Sequence, residues 1–174
     1  MPAPGLGGFN FARIGPPSPD GNVIAMKLPP DVKFRQDLHL LIFRGHGLLD
    51  KKEIDKVVHT IAELELTLKE PFNRFWDATG YHGADLSFKY ATDISISRRL
   101  STAGRPSIKS AVLATNPEVI HYTRLMAVLT QGSPIKVRLF EKREEAAKWL
   151  GVPLEVLLPA AGPATRDIRS GHEP

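Results

Sequence analysis

Histidine and carboxylate side chains that could transfer protons or bind a metal ion lie in the middle of the chain. Asp77, His82 and Asp85 fall within nine positions, and His46 stands between two glycines after an earlier apolar run. Imidazole nitrogens and carboxylate oxygens act as general acids and bases and as metal ligands. Their spacing matches no established ligand pattern, and a histidine beside glycine is also an ordinary turn residue. A proton-transfer or metal site therefore requires that the fold bring these residues together.

Ser87 is a candidate regulatory residue, together with its neighbour Asp85. The pattern predicts a helix over residues 85–100, with Phe88, Ala91 and Ile94 facing inward, so Ser87 falls in its first turn. A phosphate there would meet free backbone N–H groups and the positive end of the helix dipole. The alternative is an unmodified serine in the first turn of the helix.

A second group of residues is basic. Arg98, Arg99, Arg105 and Lys109 form a local cluster that could bind phosphates or an acidic partner. The alternative is a solvated helix end.

Length and composition exclude several classes of protein. The 174 residues are enough for one sizeable core, and the absence of cysteine excludes disulfides, thiolate nucleophiles and Cys-ligated metals. The net charge of +4 is spread along the chain, which permits nucleic-acid binding without indicating it. No window has the roughly 20 apolar residues of a membrane helix, and nothing indicates a cofactor. We expect a soluble, cytoplasmic protein that does not insert into membranes.

The chain divides into an arm, a domain and a tail. Residues 1–21 are rich in Gly and Pro and predict a flexible arm, although Phe9, Phe11 and Ile14 could dock it on a surface. Residues 22–158 predict one domain, and residues 159–174 predict a disordered tail.

Apolar runs of strand length alternate with segments of helical period across the domain. The runs occupy residues 38–44, 72–77, 108–115 and 135–140, and short extended segments precede them at 23–28 and 32–36. Helical segments begin at Asp50, Asp85, Asn116 and Glu141, with a loop predicted from Thr79 to Gly83. Asp50 with Glu53 has capping-box spacing, and Pro117 after Asn116 is typical of a first helical turn.

This alternation predicts the fold class and the place of a site. Crossover connections make parallel neighbours, so we expect an α/β domain with a mostly parallel sheet of four to five strands and crossover helices. A short link at Asp37 adds an antiparallel edge strand. Ligands of such sheets bind outside the carboxyl ends of the strands. That rim would contain His46, residues 79–85, Thr115 with Asn116, and Glu141.

The chain's last strand and helix carry a family resemblance. The segment IKVRLFEKREEAAKWL at residues 135–150 resembles the SpoIIAA-like group of STAS/Sec14-type domains, which commonly end in a Val-Arg-Val-Phe strand followed by Glu-Glu-Ala and Trp-Leu. The similarity covers roughly residues 32–150. Members are small bacterial proteins, mostly without an assigned reaction, and the resemblance implies a binding or regulatory module.

One branch of this group implies a role for Ser87. Anti-sigma-factor antagonists are switched by phosphorylation of a serine in an Asp-Ser-Ser-Gly motif at a helix start. The corresponding residues here are Asp85, Leu86, Ser87 and Phe88, of which the first and third match.

Three functions remain open. The first is a non-enzymatic binding or regulatory module that acts through protein–protein contact, including a homodimer formed through an edge strand or the arm; its partner is unknown. The second is a carrier or sensor of a small apolar or lipid-like ligand, which requires an apolar pocket near Trp76, Trp149, Phe75 or Phe140. The third is an enzyme that uses the histidines and aspartates of the rim.

Overall fold

The computed structural model describes residues 28–159. The predicted arm, the extended segment 23–28 except its last residue, and the predicted tail except Pro159 lie outside the described residues. The described elements are, in chain order, β1 (Val32–Arg35), β2 (Leu40–Asp50), α1 (Lys51–Leu68), β3 (Asn73–Asp85), α2 (Phe88–Thr102), β4 (Ile108–Leu113), α3 (Pro117–Leu129), β5 (Ile135–Phe140), α4 (Arg143–Leu150) and α5 (Leu154–Leu157).

Five strands of the described region form one sheet in the order β1-β2-β3-β4-β5. β1 pairs with β2 antiparallel through a short 3-10 turn at Gln36–Leu38, and every later neighbour is parallel. Each parallel connection contains a helix, as crossover geometry demands. The predicted α/β class, with its antiparallel edge strand, is confirmed.

The helices cover both faces of the sheet. Leu41 and Phe43 of β2 face α1, and Val112 of β4 packs in a cluster with residues of α3. Alternate residues of the same strands, including Leu40 and Ile42, pack with α4 and α5 on the opposite face. This period-two alternation places each parallel strand between two apolar layers.

The predicted helix starts at Asp50 and Asn116 are confirmed. The Asp50 carboxylate accepts a hydrogen bond from the backbone N–H of Glu53 at 2.8 Å. The Asn116 side chain accepts from the N–H groups of Glu118 and Val119 at 2.9 and 3.3 Å. Each cap satisfies donors that would otherwise lack a partner in the first turn.

The predicted ends of β2 and β3 are wrong. β2 continues through His46 to Asp50, and β3 continues through the predicted 79–83 loop to Asp85. The glycines that indicated a loop instead allow a close, irregular pairing, with register shifts between Arg44 and His46 and between Gly47 and Leu48. The rim of these two strands therefore lies beyond Asp50 and Asp85.

Tyr81 anchors the additional length of β3. Its side chain is buried against Gly45 of β2, where a Cβ atom would overlap the tyrosine ring. The hydroxyl donates to Glu53 of α1 at 3.1 Å, and the ring packs edge-on against Trp76. Burial, reinforced by Glu53, raises the pKa of the Tyr81 hydroxyl, which therefore stays a donor at neutral pH.

The predicted start of α2 is wrong, and of the residues predicted to face inward Ala91 and Ile94 do so while Phe88 does not. Because β3 runs to Asp85, α2 begins at Phe88, and the Phe88 side chain is 66% exposed. The buried residues of α2 are Ala91, Ser95, Arg98 and Thr102. A helix that packs through small and hydrogen-bonded side chains can place larger apolar residues on its outer face.

Replacing Gly45 with alanine tests the close packing of Tyr81. We expect Gly45→Ala to lower the free energy of unfolding by about 2 kcal/mol, because the added methyl group overlaps a buried ring. Urea denaturation followed by tryptophan fluorescence measures the change. His46→Ala, at the next and exposed position, is the control and should be nearly neutral. Equal stability of Gly45→Ala and the parent chain would contradict this packing.

Candidate functional site

Ser87 is the N-cap of α2. Its hydroxyl accepts a hydrogen bond from the backbone N–H of Tyr90 at 3.1 Å, and the residue itself is exposed, as is Asp85. The structure therefore places Ser87 at a helix start, one residue before the first helical turn. Capping alone accounts for a serine at this position. Its phosphorylation remains a prediction.

Hydrogen bonds from both flanking helices fix the start of α2. The Tyr90 hydroxyl donates to Asp55 of α1 at 2.6 Å, and the Tyr122 hydroxyl of α3 donates to the backbone oxygen of Leu86. Burial, followed by the Asp55 contact, raises the pKa of Tyr90. The first residues of α2 thus form a rigid platform whose outer side remains open.

The outer side of α2 carries a row of exposed apolar residues, named here the α2 stripe. Phe88, Ile96 and Leu100 have exposed fractions of 66%, 48% and 74%. At 3.6 residues per turn their spacings of eight and four place them within about 120° of the helix circumference. Val128 of α3 is also 60% exposed, and Arg99 of α2 donates to the adjacent Leu129 carbonyl at 3.4 Å. The C-terminal ends of the two helices thus lie together.

Positive charge surrounds the Leu100 end of the stripe. A groove of about 640 Å³, named here the basic groove, includes Leu100, Arg99, Arg105 and Lys136 in its lining. Its other lining residues are Ala103, Gly104, Ser107, Gly132, Ser133 and Pro134, so no carboxylate belongs to this lining. The sequence-predicted basic cluster is thereby divided: Arg99 and Arg105 line the groove, Arg98 is buried, and Lys109 donates to the Trp149 carbonyl elsewhere.

Asp77 is buried within a network of hydrogen bonds. Arg143 of α4 donates to its carboxylate at 2.6 Å, and the Thr79 hydroxyl donates at 2.7 Å. Arg143 and Arg44 also donate to the Leu157 carbonyl of α5, at 2.8 and 3.3 Å. Burial lowers the pKa of Arg44, and the nearby Asp77 charge opposes that shift. Asp77 therefore holds α4 and α5 at the carboxyl ends of β4 and β5.

The other predicted rim residues do not join Asp77. His46 lies inside β2 opposite Gly80, and its side chain is exposed. His82 is exposed on β3, and its carbonyl accepts from the Asn116 amide at 2.9 Å. The interaction between Asn116 and His82 thus connects the start of α3 to β3. The predicted loop rim is wrong because the strands continue past it.

Among residues 28–159, no group of three or more histidine or acidic side chains has an arrangement that could hold a metal ion. No helix within the same residues combines the length and apolar content needed to cross a membrane.

A small apolar cavity lies between the sheet and helices α1 to α3. Its volume is about 110 Å³, and its lining includes Trp76, Leu86, Ile94, Val112 and Met126. Trp149 and Phe140 pack against each other on the opposite face, with ring centroids 5.5 Å apart. Of the four aromatic residues predicted to surround a pocket, Trp76 alone lines this cavity.

The sequence pattern does not identify the α2 stripe, because it assigns Phe88 to the core. The available signal was the spacing of Ala91, Ser95 and Thr102, which are small residues at separations of four and seven. In the structure these residues face the domain, and the Ser95 hydroxyl donates to the Ala91 carbonyl at 2.7 Å. Small residues at helical spacing can thus indicate which face of a helix is packed, just as apolar residues can.

The fold defines an α/β domain with a mixed five-stranded sheet in its described residues, and comparison with solved structures finds a similar protein. It is an uncharacterized protein of the DUF3478 family from Shewanella loihica PV-4, described as having a SpoIIAA-like fold. The two chains are 21% identical; the match covers 68% of this chain and 90% of the other, with a TM-score of 0.45. The expected SpoIIAA-like fold is thus also named for a solved structure that this chain resembles.

Comparison with family models and with curated proteins gives no match.

Breaking the Asp77–Arg143 pair tests its structural role. Asp77→Asn should lower the free energy of unfolding by about 3 kcal/mol, because the partly buried Arg143 loses its carboxylate partner and Arg44 loses a nearby opposite charge. Asp93→Asn, in an exposed pair with Lys89, is the control and should change stability little. Denaturant titration of both variants measures the difference. A nearly neutral Asp77→Asn would show that Asp77 does not hold α4 and α5 in place.

Proposed function

We propose that this chain is a non-enzymatic binding or regulatory module that acts through protein–protein contact at the α2 stripe. The observation that carries the proposal is the exposure of Phe88, Ile96 and Leu100 on one side of a helix whose start is fixed by hydrogen bonds to its neighbours. Large apolar side chains grouped on a surface mark contact sites more often than isolated ones do.

Positive charge next to the stripe favours an acidic partner. Arg99, Arg105 and Lys136 line the basic groove at its Leu100 end, and no carboxylate lines that groove. A partner protein that presents apolar side chains flanked by acidic residues matches both features. Charge complementarity of this kind increases the association rate and selects among partners.

Ser87 lies at the opposite end of the stripe, immediately before Phe88. A phosphate on Ser87 would add about −1.5 to −2 charges beside the first contact residue. A charged phosphate there would have to be desolvated against the apolar contact at Phe88, so phosphorylation at this position would release the partner.

A photo-crosslinking experiment tests the contact. Benzoylphenylalanine replaces Phe88 in cells of the native host, and captured peptides are sequenced by mass spectrometry. We expect one acidic peptide whose capture falls with added salt. Leu100→Asp should reduce capture about tenfold or more. A carboxylate would replace an apolar side chain that the partner covers in the complex, and it would repel the partner's acidic residues. Ser87→Asp should reduce capture as well.

Leu66→Asp is the matched control, since Leu66 is 75% exposed on α1, outside the stripe. It should leave capture unchanged. Equal loss in Leu66→Asp and Leu100→Asp would contradict a contact at the stripe. Capture of peptides that contain no more acidic than basic residues would contradict the proposed acidic partner. Capture of a second copy of this chain would show that the stripe forms a homodimer instead.

The apolar cavity supports a second candidate function, that of a carrier or sensor of a small apolar molecule. A cavity of about 110 Å³ is smaller than typical ligand pockets of about 300–1,000 Å³. Apolar cavities of about 150 Å³ nevertheless bind benzene or xenon. This candidate is therefore restricted to very small ligands in the described conformation, and a lipid would require the helices to move apart.

Native mass spectrometry tests this second candidate. A carrier should retain a small apolar molecule when purified under gentle conditions. Ala91→Leu, which adds volume at a residue that lines the cavity, should remove that mass. Thr92→Leu, at the next residue on the same helix, is the control and should keep it. A parent chain that carries no added mass and binds no xenon would exclude this function.

A further inference from the structure

One carboxylate in this fold serves three arginines. Glu65 of α1 accepts from Arg74 of β3 at 2.6 Å and from Arg98 of α2 at 2.7 Å, both on the same oxygen. Arg105 contacts the other oxygen at 3.4 Å. These four residues, named here the arginine cluster, carry a formal charge of +2.

Most of this excess charge is shielded from solvent. The side chains of Arg74 and Arg98 are 10% and 9% exposed, whereas Arg105 is 50% exposed. The Nε atom of Arg74 is buried and donates to no group within residues 28–159. Burial, with the charges of Arg98 and Arg105, lowers the pKa of Arg74 to about 10. A buried guanidinium that shares its carboxylate with other guanidinium groups is unfavourable. The free-energy cost of removing an ion from water is offset only when the ion is fully paired.

A cavity opens beside the cluster. It has a volume of about 420 Å³ and lies at the amino ends of β3 and β4. Arg74, Arg105, Lys69, Glu65 and Glu70 contribute its charged lining. The rest of the wall is mainly apolar and consists of Leu66, Pro71, Phe72, Thr102, Pro106, Ile108 and Pro134.

From this geometry we propose that the cavity binds a small organic phosphate monoester. Arg74, Arg105 and Lys69 outnumber Glu65 and Glu70 in the lining, and guanidinium groups match phosphate oxygens with paired hydrogen bonds. The apolar wall, including Phe72, would hold the organic part of the ligand. The volume is within the range of small-molecule sites. The cavity lies apart from the α2 stripe but shares Arg105 and Pro134 with the basic groove, and the binding of a phosphate monoester can be measured in the absence of the proposed partner.

The ligand would also affect the fold around it. Glu65, Arg74 and Arg98 belong to α1, β3 and α2, so a phosphate bound to the cluster would tighten the contact among all three elements. Because α2 carries the stripe on its other side, the phosphate site and the protein contact share one helix. An effector bound at the cavity has a direct physical route to the contact surface.

Isothermal titration calorimetry with three probes tests the proposal. Phenyl phosphate, inorganic phosphate and benzoate are titrated into the parent chain at constant ionic strength. We expect phenyl phosphate to bind most tightly, inorganic phosphate more weakly, and benzoate weakest. Benzoate binding as tight as phenyl phosphate would contradict charge matching, and inorganic phosphate binding as tight would contradict the apolar contact.

Two variants locate the site. Arg105→Gln should weaken phenyl phosphate binding about tenfold, the value of one charge-assisted hydrogen bond. Arg124→Gln removes the same charge from an exposed position of α3 and should leave binding unchanged. Equal weakening by both variants would show nonspecific attraction and overturn the site.

Glu65→Gln separates a binding site from a purely structural network. It removes the carboxylate that competes for the guanidinium groups, so binding of phenyl phosphate should strengthen, and the ligand should raise the Tm of the variant more than that of the parent. A network that only stabilises the fold would lose stability without gaining affinity. Absence of heat with all three probes in the parent chain would overturn the proposal even if Glu65→Gln fails to fold.

Discussion

The pairing of β2 with β3 determines where everything else in this domain lies. The two strands remain in parallel contact from Leu40 and Asn73 to Asp50 and Asp85, well past the point where β4 and β5 end. The Tyr81 ring packs against this pairing at Gly45, which has no Cβ atom to overlap the ring. A larger residue at position 45 would displace the ring from this contact.

The start of α2 follows from this pairing. With β3 extended to Asp85, the helix begins at Phe88, where Ser87 caps it and where Tyr90 and Tyr122 connect it to the neighbouring helices. The buried residues of α2 are then small or hydrogen-bonded, and Ile94 is half-buried beside the apolar cavity. Phe88, Ile96 and Leu100 face outward, and they provide the surface on which the proposed protein contact depends.

Buried arginines have different partners at the two ends of the sheet. At the carboxyl ends of β4 and β5, Asp77 pairs with Arg143, and the Leu157 carbonyl of α5 accepts from Arg143 and Arg44. At the amino ends, one carboxylate is shared among three guanidinium groups beside an open cavity. Arg44 and Arg74 each keep a buried Nε without a partner among residues 28–159, so it is the excess of guanidinium groups beside the cavity that directs the proposed ligand to the amino ends, opposite the rim where sheets of this class usually bind ligands.

Much of the fold was determined by local sequence. The strand over residues 135–140, the caps at Asp50 and Asn116, and the hairpin at Asp37 were predicted correctly, because apolar period and capping chemistry depend on neighbouring residues. The SpoIIAA-like resemblance came from a single contiguous segment. Such features require no knowledge of distant contacts.

The sites were decided by tertiary structure. Glycine and histidine at residues 79–83 have the composition of a loop, and only pairing with β2 makes them a strand. Glu65 and Arg105 are 40 positions apart, so no local pattern reveals that Arg74, Arg98 and Arg105 share the Glu65 carboxylate. The sequence determined which segments become strands and helices; the packing between them decided which charges are buried together and which apolar residues remain outside.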